Sequence, residues 1–153
     1  MPGGKTMLAE TAMRRALDEA KKAFAAGEVP VGAVIVRGEE ILSAAHNRCE
    51  REKDPTAHAE LLAIRRAAER LGDWRLSECT LYVTLEPCPM CTGAILNARI
   101  PRVVFGAWDP QVGALGGRMD LPAVFSDACK SVGGVLEEEC AQLLSAFFTA
   151  RRP

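Results

Sequence analysis

The chain has 153 residues, of which 48% are hydrophobic and 25% charged, the composition of an ordinary soluble globular protein. We therefore expect one domain over residues 1–153 that buries its own core. A formal net charge of −1 and a pI near 6.1 argue against broad electrostatic binding to nucleic acid, and no DNA partner is expected. No apolar run approaches the roughly 20 residues of a membrane span, and the N-terminus has no secretory pattern. The expected location is the cytoplasm.

In the first half of the chain, the residue patterns predict a helix, a hairpin and a second helix. Apolar residues at helical spacing, followed by Gly27, predict the first helix. A β-branched run, a turn and a second mostly apolar run predict the hairpin. A run of helix formers predicts the next helix, with His58 and Glu60 in its first turn. The predicted bounds are 11–26, 31–36 with 41–45, and 57–71, and a charged loop is expected at 47–54.

In the second half, strands again alternate with helices. The run Thr80–Leu85 is the clearest strand in the sequence, and Pro87 opens the helical segment that follows it. A glycine-rich loop is expected at 113–117. The remaining predicted bounds are a helix at 88–98, strands at 102–106 and 131–135, and a helix from 137. This alternation predicts an α/β fold in which helices cover both faces of a sheet.

Two short motifs carry chemically capable side chains. The first, Asp54-Pro55-Thr56-Ala57-His58-Ala59-Glu60, places an imidazole and a carboxylate two residues apart, so the two side chains must have different roles. The second, Glu86-Pro87-Cys88-Pro89-Met90-Cys91, places two thiols at i and i+3 on one helix face. A helix N-terminus lowers thiol pKa values and favours the thiolate that a metal requires.

The ligands His58, Cys88 and Cys91 together predict a catalytic Zn²⁺ site. Three protein ligands leave a fourth tetrahedral position open, as catalytic zinc sites do. The pattern of His-x-Glu followed by Pro-Cys-x-x-Cys is the known signature of zinc nucleobase deaminases, in which the glutamate is a proton shuttle and no ligand. Glu60 is therefore the predicted catalytic residue.

Simpler interpretations exist for each motif alone. His58 could sit at a helix start for structural reasons only, and the two cysteines could be buried core thiols. A structural zinc knuckle would need a fourth ligand. The only other histidine is His46, and Cys49 and Cys79 lie outside the pattern. The two motifs in this order favour the catalytic site.

Several further stretches extend the pattern beyond the metal motif. The chain resembles the bacterial tRNA-specific adenosine deaminases, of the cytidine deaminase-like superfamily, over most of its length. The stretches that carry the resemblance are Glu28-Val29-Pro30-Val31-Gly32-Ala33, Asn47, 54–60, 80–91, Arg99-Ile100, 102–106, Leu143-Leu144-Ser145 and Phe147-Phe148.

The resemblance implies a three-layer α/β/α fold with a five-stranded mixed sheet, and a homodimer. It further implies conversion of adenosine to inosine at the wobble position of a tRNA anticodon, with Zn²⁺ as cofactor. By carry-over, Asn47 is expected to hydrogen-bond the flipped base, Val31 and Ala33 to flank it, and Pro87 and Asp109 to contact the nucleotide.

Two other functions remain open on the sequence. A free-base or nucleoside deaminase acting on guanine, cytosine or a related heterocycle would have a similar metal motif, and the low net charge favours such a small substrate. Two departures from the family pattern also favour it: Trp108 directly before Asp109, and the lack of an expected Asn-His pair between residues 120 and 135. An inactive partner subunit is the third function, but an intact Glu60 argues against it.

Overall fold

The computed structural model describes residues 7–125 and 129–151 of the chain. None of the helices in these two ranges is both long and apolar enough to cross a membrane. The described elements are α1 (Ala9–Ala25), β1 (Gly32–Arg37), β2 (Glu40–His46), α2 (Cys49–Glu52), α3 (Ala59–Leu71), β3 (Thr80–Leu85), α4 (Pro89–Asn97), β4 (Arg102–Ala107), α5 (Leu121–Phe125), β5 (Lys130–Val132) and α6 (Glu137–Ala150).

The strands form one five-stranded sheet in the order β2-β1-β3-β4-β5. Strand β1 pairs antiparallel with β2, as the predicted hairpin requires, and also antiparallel with β3. Strands β3, β4 and β5 are parallel to one another. The mixed five-stranded sheet is thus confirmed.

Helices cover both faces of this sheet. Alternate residues of β1 point to opposite sides: Ala33 and Ile35 pack with α3 and α4, whereas Val34 and Val36 pack with α1 and α6. Helix α1 approaches β1 so closely that a Cβ on Gly32 would lie 2.0 Å from the carbonyl oxygen of Ala16. The expected three-layer α/β/α arrangement is confirmed.

Two helix starts differ from the sequence prediction in a way that matters for the site. Helix α3 begins at Ala59 and not at residue 57, so His58 precedes the helix with extended backbone at φ −77° and ψ 151°. Cys88 likewise precedes α4, at φ −75° and ψ 173°, and Pro89 opens that helix. His58 and Cys88 therefore occupy the N-cap positions of their helices.

The sequence prediction missed two short helices and shifted one strand. Helices α2 and α5 have four and five residues, too few to show a periodic apolar pattern. Strand β5 ends at Val132 and not at residue 135. Gly134, at φ +92°, turns the chain after it, and its N–H donates to the carbonyl of Gly106.

Glu19, a buried carboxylate on α1, should make stability depend on pH. Its Oε1 lies 2.9 Å from His46 Nδ1, and its Oε2 accepts from Lys22 Nζ and Arg15 Nη1 at 2.9 and 3.0 Å. Burial raises the pKa of Glu19, but these hydrogen bonds outweigh burial and lower the pKa from 4.5 to about 2. A lowered pKa stabilises the folded state fully above pH 4.5, and this stabilisation is lost as pH falls from 4.5 toward 2.

We expect Glu19→Gln to reduce the free energy of unfolding by on the order of 3 kcal/mol at pH 7, and by about half as much at pH 3. Urea unfolding of both proteins across this pH range measures the difference. Glu10→Gln is the matched control, because Glu10 is an exposed member of an ion pair on the same helix. A difference in the free energy of unfolding that stays constant from pH 7 to pH 3 would contradict the lowered pKa of Glu19.

Candidate active site

The structure brings the predicted metal ligands together. The Nδ1 atom of His58 lies 3.4 Å from Cys91 Sγ and 3.7 Å from Cys88 Sγ. All three ligand atoms lie within 4.8 Å of one another. Tetrahedral zinc with ordinary Zn–S and Zn–N bonds separates its nitrogen and sulfur ligands by about 3.5 Å. The donor set and its spacing therefore fit Zn²⁺.

The local fold explains why these side chains meet. Cys88 and Cys91 lie at the start of α4, immediately beyond β3, and His58 lies at the start of α3. Asn47 fixes the start of α3, because its Oδ1 accepts a hydrogen bond of 2.8 Å from the N–H of Ala59. That N–H belongs to the first turn, where backbone donors lack helical partners. Two helix N-termini thus converge on one point.

Hydrogen bonds within the cluster prepare it for a cation. The hydrogen bond from Cys91, with a second from His58, lowers the pKa of Cys88 to about 4. The hydrogen bond with Cys88 in turn raises the pKa of Cys91, and the hydrogen bond between Cys88 and His58 raises the pKa of His58. A divalent cation displaces such shared protons when it binds. The cluster therefore holds a thiolate and shared protons that a cation can replace.

Glu60, the predicted proton shuttle, is buried beside the cluster. Only 3% of the residue is exposed. Burial raises the pKa of its carboxyl to about 7, and a hydrogen bond from its own backbone N–H acts in the opposite direction. A carboxyl with a pKa near the working pH can both accept and return a proton. Glu60 is the second residue of α3, and it lines the cleft that contains the metal cluster.

A cleft of about 730 Å³ opens above these groups. Of the predicted substrate contacts, Val31, Asn47 and Asp109 line it together with His58, Glu60 and Cys88. Ala33 and Pro87 are buried outside its lining. Ala33 pairs with strands on both sides, and the Pro87 carbonyl accepts from the N–H of Ala114 at 2.9 Å. The structure thus brings three of the five predicted contacts to the cleft.

The cleft also contains residues that the sequence did not single out for function. Two are buried acids: Glu28 accepts from the N–H groups of Glu50 and Arg51 at the start of α2, and Glu86 holds the loop after β4. The position of Glu86 directly before the Pro-Cys of the metal motif is a signal that the sequence does contain. A carboxylate that is buried there needs hydrogen-bond partners. For Glu28 we find no comparable signal.

The C-terminal helix closes one side of the cleft. Phe147 packs edge-on against Phe24 at 5.8 Å and also lines the cleft, so it serves both the core and the site. The guanidinium of Arg151 lies 4.4 Å from the Phe147 ring and donates to the carbonyl of Gly27 at 2.7 Å. On the sequence, a phosphate contact is one interpretation of the basic pair Arg151-Arg152, and the other is complementation of the helix dipole. Arg152 lies outside the described residues. Arg151 thus joins the end of α6 to the turn after α1.

Trp108 does not line the cleft. Its ring packs edge-on against Phe105 at 4.7 Å, and 45% of the residue is exposed. Gly116 and Gly133 leave room for the ring, since a Cβ on either would lie within 3.3 Å of it. The departure from the family pattern at this position therefore concerns packing beside the cleft.

A mixed sheet between helix layers, with a His-Cys-Cys cluster at two helix N-termini, defines a zinc hydrolase of the cytidine deaminase-like class. Residues 7–152 match the family model of the MafB19-like deaminases. The chain is 52% identical over 145 residues to the tRNA-specific adenosine deaminase of Bacillus subtilis (strain 168), covering 94% of this chain and 90% of that protein. It belongs to the tRNA-specific adenosine deaminase family.

Two solved structures illustrate the likeness. One, from a study of A-to-I editing by tRNA:A34 deaminases at the wobble position, has 41% sequence identity and a TM-score of 0.79, covering 87% of this chain and 98% of that chain. The other is a guanine deaminase from Bacillus subtilis, with 40% identity and a TM-score of 0.64. It covers 80% of this chain and 73% of that chain. The chain is thus similar to an RNA-editing enzyme and to a free-base enzyme.

Proposed function

We propose that this chain deaminates adenosine to inosine at the wobble position of a tRNA anticodon, with Zn²⁺ held by His58, Cys88 and Cys91. The observation that carries the proposal is this cluster within a chain that is 52% identical, over 94% of its length, to a tRNA-specific adenosine deaminase. When bound, the ion acts as a Lewis acid that activates water for attack at neutral pH.

Glu60 moves the protons of this reaction. Its carboxylate accepts a proton from the attacking water and delivers it to a ring nitrogen of adenine. It then assists protonation of the departing amino group, so that water is consumed and ammonia leaves. A carboxyl with a pKa near 7 suits both directions of transfer.

Asn47 is the proposed contact with the base. Because its Oδ1 is occupied by the Ala59 N–H, its amide nitrogen points its two hydrogens elsewhere. Among the described residues, that nitrogen donates no hydrogen bond, and Asn47 lines the cleft. The orientation fixed by α3 thus favours a donor toward an acceptor atom of the flipped base.

Val31 and Asp109 are the other proposed contacts that line the cleft. Val31 offers an apolar surface at the entrance to β1, and Asp109 lies beyond the end of β4. Nothing in the cleft lining supports the predicted contacts of Ala33 and Pro87, because both residues are buried outside it and their backbone groups bond within the protein. A base extruded from a single-stranded loop would enter between these walls.

A free-base deaminase is the second candidate function. The likeness to a guanine deaminase, at 40% identity, and the net charge of −1 favour it. Against it, the identity to the tRNA-specific relative is higher and extends over more of the chain. The wobble-adenosine function is therefore the one we propose first.

A direct assay separates the two candidates. A synthetic anticodon stem-loop with adenosine at the wobble position is incubated with the enzyme beside free guanine, cytosine and adenosine. We expect inosine in the RNA alone, and no inosine with Glu60→Ala. Ammonia released from a free base with unchanged RNA would contradict the tRNA proposal and support the second candidate.

We propose that the enzyme is a homodimer. Val124 and Phe125 on α5 are 74% and 72% exposed, beside an apolar groove that includes Leu96 and Ile100. Exposed apolar surface of this kind is typical of a protein interface. Equilibrium sedimentation should give twice the chain mass, and Val124→Glu with Phe125→Glu should give the single mass. A monomer in the unaltered protein would contradict the proposal.

We also propose that residues 1–153 act as one deaminase domain in the cytoplasm. The family match over residues 7–152 supports the single domain. Six free cysteines, two of them in the metal cluster, favour a reducing compartment.

A further inference from the structure

Glu86 is a buried carboxylate that takes no part in the chemistry described above. Only 2% of the residue is exposed, and it stands between β3 and α4, two residues before Cys88. In the part of the chain that the structure describes, no salt bridge neutralises it. A buried carboxylate without a cationic partner requires strong hydrogen bonds instead.

Three backbone N–H groups of one loop supply those hydrogen bonds. Glu86 Oε1 accepts from the N–H of Asp109 at 2.9 Å. Its Oε2 accepts from the N–H groups of Leu115 and Gly117, at 2.9 and 2.7 Å. The carboxylate thus joins both ends of the 109–117 loop to the segment that carries Cys88.

The loop sequence fits around this carboxylate. A Cβ on Gly113 or on Gly117 would lie 2.2 Å from Glu86 Oε1. Contacts this short exclude any larger side chain without movement of the loop. The glycines therefore allow close approach to a buried anion, which explains why the loop is glycine-rich.

The loop also forms part of the cleft. Asp109 and Val112 line it, and Asp109 Oδ1 accepts from the N–H groups of Gln111 and Val112 at 3.0 and 3.2 Å. Two ties join this wall to the segment that carries Cys88: the Ala114 N–H donates to the Pro87 carbonyl at 2.9 Å, and Glu86 accepts from the loop N–H groups. At the Asp109 end of the loop, the tie is the hydrogen bond to Glu86.

We propose that Glu86 is a positioning residue that fixes Asp109 in the substrate wall, and that it determines affinity for the RNA through Asp109. The proposal rests on the proposed deamination of tRNA. Glu86 does not contact the reacting atoms. Its loss should therefore weaken substrate binding while the metal and the chemical step are retained.

Glu86→Gln tests this with a small change. The glutamine can keep its carbonyl oxygen toward Leu115 and Gly117, which places its NH₂ group against the N–H of Asp109. One hydrogen bond is lost, at Asp109. We expect KM for the stem-loop to rise by about tenfold, kcat to stay within about threefold, and zinc content to be unchanged.

A double-variant cycle shows whether Glu86 acts through Asp109. Asp109→Ala alone should raise KM at least as much as Glu86→Gln. The double variant should be no worse than Asp109→Ala, because the contact it would lose is already gone. Effects that multiply, a fall in kcat at unchanged KM, or loss of zinc in Glu86→Gln would each overturn the proposal.

Amide hydrogen exchange gives a readout that does not depend on activity. In Glu86→Gln the Asp109 amide should exchange at least about tenfold faster, while Leu115 and Gly117 keep their protection. Equal protection of Asp109 in both proteins would overturn the proposal. Inactivity of the unaltered enzyme on RNA would instead reject the proposed function, and the exchange result would still decide whether Glu86 holds Asp109.

Discussion

Replacing Glu60 by glutamine is expected to reduce kcat by about 10³-fold or more while zinc remains bound. The amide keeps the shape of the side chain but can neither accept the proton of water nor return it to the base. The residue is buried beside the His58–Cys88–Cys91 cluster and is not one of its three ligands. Steady-state kinetics on the stem-loop RNA, with zinc measured on the same sample, checks both halves of the expectation.

The matched control for this variant is Glu69→Gln. Glu69 lies on the same helix, α3, but its side chain is exposed and remote from the cleft lining. Both proteins should bind one zinc per chain, and only Glu69→Gln should keep the activity of the unaltered enzyme. A zinc-loaded Glu60→Gln protein that retains more than about a tenth of kcat would exclude Glu60 as the proton shuttle.

The fold and the metal cluster were predictable because their signals are contiguous in sequence. Strand β3 has the predicted bounds, Thr80–Leu85, since a run of β-branched and aromatic residues ends directly at Glu86-Pro87. Cys88 and Cys91 are three residues apart, so any helix that begins there brings them to one face. Local spacing alone was sufficient for these features.

The start of α3 shows what local spacing misses. The helix begins two residues later than predicted because a side chain from elsewhere in the chain, Asn47, takes the N–H of Ala59. No pattern within residues 57–71 contains this information. The same hydrogen bond orients Asn47 itself, so the helix start and the proposed base contact are one structural feature.

Glu86 shows a second limit. It stands within the quoted motif, yet its partners are backbone N–H groups 23 to 31 residues further along the chain. Backbone donors are the same at every residue, so the sequence does not identify them. The glycines at 113 and 117 indicate the close approach of Glu86 only indirectly. Their role can be interpreted once the structure places the carboxylate beside them.

Replacing Cys91 by alanine is expected to abolish zinc binding and, with it, activity. Cys91 is completely buried, and its Sγ lies 3.4 Å from His58 Nδ1, so its loss leaves only two of the three protein ligands. Two remaining ligands cannot hold the ion in a tetrahedral site with one open position. Bound zinc per chain, measured after gel filtration, should fall from one to near zero.

Cys129→Ala separates this expectation from simple damage to the core. Cys129 is also a buried thiol, but it packs in the core cluster outside the metal site. Its truncation should reduce stability modestly and leave zinc and activity in place. A chelator should lower the melting temperature of the unaltered protein and of Cys129→Ala, and should leave that of Cys91→Ala unchanged, because stabilisation by a bound ion disappears with its site. Full zinc content in Cys91→Ala would mean that Cys91 is a core thiol and that the zinc ion has another ligand.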